Sequence, residues 1–120
     1  MTKPTYQIQT LSSSTNFLPI NITATAAGSA NLIHDTTNAS NTYDEMWLDA
    51  YNYSATDAVL TVCLGGTSSH QLLTLPVPTG RGLIPVIKGL RFTGSVDISA
   101  FASAANAISV IGSINRIVFI

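Results

Sequence analysis

The sequence predicts an all-β chain folded as an antiparallel sandwich. Three observations point there. Short apolar runs with period-two alternation recur about every 8 to 14 residues. Gly, Pro, Ser and Asn turns separate them. Helix signals are nearly absent, so the crossovers that a parallel sheet needs are missing. The one segment with helical propensity, Ala100 to Ala107, is short for an isolated helix.

The strands read in order. Asn31 to His34 is a short strand closed by the turn residues Asp35 to Asn38. Asp44 to Tyr53 alternates, with Met46, Leu48 and Ala50 on one face and Trp47, Asp49, Tyr51 and Tyr53 on the other. After the turn Ser54-Ala55-Thr56-Asp57, Val59 to Leu64 is expected to fold back as its hairpin partner. Gly65 and Gly66 end that strand. His70 to Pro76 is the next, and Pro76-Val77-Pro78 stops its ladder. Leu83 to Lys88 follows the turn Thr79 to Gly82, and its Pro85 belongs at an edge or a bulge. Phe92 to Ala102 carries Val96, Ile98 and Ala100 on one face, and Ala107 to Ile120 closes the chain.

The chain has 120 residues and a mass of 12.6 kDa, which is one domain. A chain of this size buries roughly two-thirds of its extended surface, so it needs neither metal nor disulfide. Hydrophobic residues make up 46% and charged residues 9%, with a net charge of −1. Such a balance argues against disorder. Five Lys and Arg are too few to coat a phosphate backbone or to anchor on an acidic membrane, so neither nucleic acid nor membrane is expected as a partner. The polar surface falls to 13 Ser, 15 Thr and 8 Asn, small neutral groups that suit a protein attached to something more than one that drifts in a crowded cytosol. No signal peptide and no apolar run of membrane-spanning length is read in the chain. The three Asn-x-Ser/Thr matches at Asn21, Asn38 and Asn52 read as chance in so polar a composition.

Residues 1–29 differ from residues 30–120. Two prolines, many Ser and Thr, and apolar residues without sustained alternation suggest an extended N-terminal arm ahead of the sandwich domain. Its first residues, Thr2, Lys3, Pro4, Tyr6 and Ile8 among them, are expected to make outside contacts.

Reactive chemistry finds little support. Asp44 and Glu45 are adjacent and so point to opposite faces of a strand, while Glu45 and Asp49 are separated by Trp47. His34-Asp35 and the distant His70 do not form a ligand spacing, so no metal or cofactor is expected. A serine-rich chain always supplies the residues of a Ser-His-Asp triad, but no Gly-x-Ser-x-Gly elbow is present. Lone Cys63 sits in an apolar run and reads as a small buried hydrophobe. An enzyme is not expected.

Two features remain. Trp47, Tyr51 and Tyr53 with Asp49 form an aromatic face that either binds a sugar or packs against another subunit. In the last strand Ile108, Val110, Gly112 and Ile114 share a face, and continued alternation puts Arg116 on it. Either a bulge near Gly112 or Asn115 swings Arg116 to solvent, or Arg116 is buried at a subunit contact against a carboxylate. Trp47, Tyr51 and Arg116 are the expected subunit-interface residues.

Several of these segments form a set: Leu32-Ile33-His34, the run from Asp44 to Asn52, Leu60 to Thr67, Ile87-Lys88-Gly89-Leu90, Ala100 to Ile108, Gly112, and Asn115-Arg116-Ile117. Over roughly residues 30 to 118 the set resembles the small capsid decoration, or cement, proteins of tailed bacteriophages. Lys88 stands where that resemblance leads one to expect proline. The resemblance implies a jelly-roll-like sandwich, made in the host cytoplasm, that sits on the outer capsid surface of the virion. It further implies a homotrimer bound to the major capsid protein. A carbohydrate-binding module of a head or tail fibre is the alternative.

Overall fold

The computed structural model describes residues 3–119. Among the described residues nine strands form: β1 (Pro4–Gln9), β2 (Ile20–Asn21), β3 (Asn31–Asp35), β4 (Thr42–Asn52), β5 (Ala58–Leu64), β6 (Leu72–Val77), β7 (Ile84–Phe92), β8 (Asp97–Ala102) and β9 (Ile108–Phe119). Single 3-10 turns occupy Ala27–Ser29 and Ser69–Gln71. Two antiparallel sheets pack face to face, so the predicted sandwich is present. One sheet has the order β1-β9-β4-β7, with β2 also on β9, and the other has the order β3-β8-β5-β6.

Alternation along β4 and β9 builds the core. Met46, Leu48 and Ala50 face inward with Ile108, Val110 and Ile114, and all are buried. From the facing sheet come Ile33, Leu60, Val62, Ile98, Ala100 and Ala102. Ala100 and Ala102 therefore serve as small inward residues of β8, and tertiary packing overrides their helical propensity. Cys63 is buried, as its apolar run suggests, and burial pushes its thiol pKa up.

The expected hairpin between β4 and β5 does not form. β4 lies between β9 and β7 in one sheet, and β5 lies between β8 and β6 in the other. Residues 53–57 are a corner between sheets, and Asn52 holds it. Its carboxamide donates to the carbonyls of Thr56 and Val77, and its oxygen accepts from the Ser54 N–H. Pro85 lies on the edge strand β7 at a register shift, where its missing N–H costs no ladder bond. The run expected as one strand from Phe92 to Ala102 is broken by a turn. Gly94 and Ser95 take positive φ, so β7 ends at Phe92 and β8 starts at Asp97.

The boundary expected at residue 29 does not divide arm from core. Leu11 and Ile22 are fully buried in the shared core. Pro4–Gln9 is an edge strand on the C-terminal half of β9, in register from Pro4 opposite Phe119 to Gln9 opposite Ile114. Sequence alternation misses this because neither face of β1 is buried. The 12-residue β9 outruns the five- to seven-residue strands of the facing sheet, and the molecule extends 52 × 28 × 21 Å.

Candidate functional site

The outer face of the five-stranded sheet is the candidate surface. Along β4 it presents Tyr43, Glu45, Trp47, Asp49 and Tyr51, aromatic and acidic residues in turn. The neighbouring strands complete each row. Tyr6, Ile117 and Tyr43 lie side by side, then Ile8, Asn115, Glu45 and Arg91, then Ser113, Trp47 and Lys88. Tyr6 is 62% exposed, Ile8 68% and Trp47 47%, so three large apolar groups share one uncovered face. Ile117, between the two tyrosines, is buried. Tyr43 and Phe119 meet edge to face with ring centroids 5.9 Å apart. Beside that pair lies an open depression of about 550 Å³, lined by Asn41, Tyr43, Arg91, Thr93, Ile117 and Phe119.

Trp47 is held in place. Its indole N–H donates to Glu45 Oε1 at 3.0 Å, and Glu45 Oε2 lies 3.5 Å from Arg91 Nε. The Trp47 hydrogen bond, outweighing burial and helped by Asn115 and Arg91, keeps the Glu45 carboxyl below its ordinary pKa. The six-membered ring rests against Gly89, which has φ +80° at a bulge in β7. A Cβ there would crowd the indole. Asn115, next to Glu45, carries a buried Oδ1 with no hydrogen-bond partner among the described residues.

The sites predicted from sequence fall as follows. Trp47 and Tyr51 share the outer face with Asp49. Tyr53, just past the end of β4, reaches the same face, because its hydroxyl donates to Asn21, which lies opposite Ser109 in the row of Tyr51. Lys3 is exposed, Pro4, Tyr6 and Ile8 lie on β1, and Thr2 falls outside the described residues. Arg116 is not swung out by a bulge, because the register of β4 with β9 runs unbroken from Thr42 opposite Val118 to Asn52 opposite Ile108. It stays on the inner face and pairs within the chain. Its Nε donates to Asp44 Oδ1 at 2.7 Å and its Nη2 to Asp44 Oδ2 at 3.0 Å.

This pair anchors a relay that sequence reasoning missed. Asp44 is fully buried. Its Oδ2 also accepts from the Thr37 N–H and from His34 Nε2, each at 2.9 Å. Burial alone would raise the Asp44 carboxyl, but Arg116, His34 and the Thr37 N–H together hold it below its ordinary pKa. Asp44 in turn raises that of Arg116. On the other ring edge, His34 Nδ1 accepts the Ser12 N–H at 3.0 Å and lies 2.9 Å from Ser12 Oγ. The backbone N–H can only donate, so Nδ1 is unprotonated and the ring proton sits on Nε2 toward Asp44. A bulge between Leu32 and His34 lets Ile33 and His34 both be buried.

Ser12, His34 and Asp44 thus stand in the order of a hydrolytic triad. The donors around Ser12 are spent on the fold. Its own N–H goes to His34, the Ser13 N–H to the Ile33 carbonyl, and the Asp35 N–H to Ser12 Oγ. The relay therefore ties the segment after β1 to the open edge of β3. Alternation carried back from Met46 puts Asp44 on the apolar face, as it puts Arg116, and that shared oddity was the signal for the pair.

Among the described residues no three His, Cys, Asp or Glu side chains converge as metal ligands. Among the described residues no helix is long and apolar enough to cross a membrane. Comparison with known protein families and with curated proteins gives no match.

Proposed function

We propose that this chain is a virion structural protein that binds the outer surface of an assembled phage capsid and stabilises it. The observation that carries this reading is the uncovered face bearing Tyr6, Ile8, Tyr43 and Trp47. Aromatic residues aligned on a flat sheet bury large area at small entropic cost when a protein partner covers them. The resemblance of residues 30 to 118 to decoration proteins supplies the partner, the major capsid protein. The strand orders β1-β9-β4-β7 and β3-β8-β5-β6, with every connection except β1–β2 and β5–β6 passing between sheets, support the jelly-roll form of the sandwich.

The mechanism is thermodynamic. A subunit that touches two capsid proteins binds the closed lattice and not the dissociated one, so its occupancy favours the lattice. In a homotrimer, three copies of the surface raise the effective concentration of each contact. Mixing the purified chain with intact shells, pelleting them, and counting bound copies tests the reading. Saturation at a fixed ratio to capsid protein is expected; recovery of the whole chain in the supernatant would overturn it.

One observation favours a second reading. The Trp47 ring is fixed by Glu45 and Gly89 with one side open, beside Asp49 and Ser113. A fixed indole with carboxylates at hand is a platform for a pyranose ring. Glycan binding that Trp47→Ala abolishes without loss of fold would decide for it, and its absence would decide against it.

A further inference from the structure

The loop from Thr10 to Pro19 is fastened to the rest of the molecule at Leu11, Ser12 and Ser13, and one of its contacts there is to a titratable ring. Leu11 is buried in the core, and Ser12 and Ser13 lie along the edge of β3. The loop then turns through Asn16 and Phe17, both with positive φ (54° and 60°). An aromatic residue in the left-handed region is under strain. Phe17 and Leu18 are exposed, at 44% and 58%. The loop thus displays two apolar side chains on a strained turn, which is closed by bonds of its own from Ser14 Oγ to the Leu18 carbonyl and from the Leu18 N–H to the Thr15 carbonyl.

We propose that His34 is an acid-released latch for this loop. Neutral His34 accepts the Ser12 N–H at Nδ1 and donates at Nε2 to Asp44. A proton added at Nδ1 faces a backbone N–H only 3.0 Å away, and that bond is lost. The Ser12 hydroxyl can turn to accept, but the main-chain donor cannot. The titratable and charged groups around the ring are Asp44 on β4, Arg116 on β9 behind it, and Asp35 beside it on β3, whose cross-strand partner is Asp97 on β8. Residues 10–19 contribute none. Arg116 already pairs with Asp44, and Asp35 and Asp97 are exposed, so none of these groups makes good the Ser12 bond that the added proton removes from the 3% exposed ring. Protonation therefore drives Ser12 away and uncovers the edge of β3 at the base of the loop. The latch is independent of the proposed outer-face function, and either can fail alone.

Amide hydrogen exchange and His ring nitrogen shifts, recorded by NMR on the full chain between about pH 8 and pH 5, test it. After correction for intrinsic exchange, protection at Ser13 and Asp35 should fall by about tenfold or more on acidification. The midpoint should coincide with that of the His34 ring, while Leu48 and Val110 stay protected. His34→Asn keeps an acceptor near the Nδ1 position and cannot take up the proton. Its Ser13 and Asp35 protection should be independent of pH. If that variant does not fold, the coincidence of midpoints in the native chain decides alone. The proposal is overturned if the ring titrates while both amides stay protected, if it takes up no proton down to about pH 5, or if folded His34→Asn keeps the native pH dependence.

Discussion

Arg116 and Asp44 illustrate how single residues constrain this fold. Removing one partner leaves the other charged and buried, whereas replacing both with apolar groups can be nearly neutral. Arg116→Met should cost about 3–5 kcal/mol in chemical denaturation, and the Asp44→Leu/Arg116→Met pair should recover much of that. The pH dependence has a definite sign. The folded Asp44 pKa lies below its unfolded value, so its contribution is complete above the unfolded value, about 4. It is lost as pH falls through the folded value. Native stability should drop on acidification below about pH 4, and Asp44→Asn should flatten that drop. Gly112 is a second constraint of this kind. A Cβ on it would collide with the Trp47 carbonyl across the β4–β9 pair. Gly112→Ala should destabilise the chain by about 3 kcal/mol or more in a urea melt, since backbone and not a flexible side chain must yield.

At the scale of elements, β1 and the segment after it play opposite parts. β1 pairs along β9, yet Thr5 to Ile8 are exposed. Leu11, two residues beyond it, is fully buried. Deleting residues 2–9 should therefore cost less stability than Leu11→Ala, for which about 2–5 kcal/mol is expected. The truncated chain should keep its β-sheet circular dichroism and lose capsid binding. Unchanged binding would remove β1 from the proposed contact surface. Most strands were legible because burial on one face leaves a period-two trace, as in Met46, Leu48 and Ala50. β1 and the two-residue β2 leave none. The hairpin assignment of β4 with β5 failed because alternation states which face is buried and not which strand lies alongside. That choice was made by Asn52, whose side-chain bonds turn the chain into the other sheet. The triad-like relay was illegible for a related reason. Ser12, His34, Asp44 and Arg116 are brought together by a bulge in β3 and by pairing across 72 residues of chain.

The whole molecule is a long sandwich with one well-covered interior and one bare, aromatic sheet face. That face was legible in part. Trp47 and Tyr51 were placed on it by alternation, while Tyr6 and Ile8 joined it only through the pairing of β1 with β9. The proposed trimer should appear in native mass measurement at three times the 12.6 kDa chain mass, and a six-fold or ring assembly would favour a tail part instead. The central claim is that the bare face seats the chain on a capsid. The most direct measurement is a reconstruction of purified virions together with a count of this chain per particle. The account predicts density for the sandwich on the outer shell, Trp47 and Tyr6 turned toward capsid protein, and a fixed, high copy number. Virions that carry no copy of the chain, or carry it with that face turned to solvent, would contradict it.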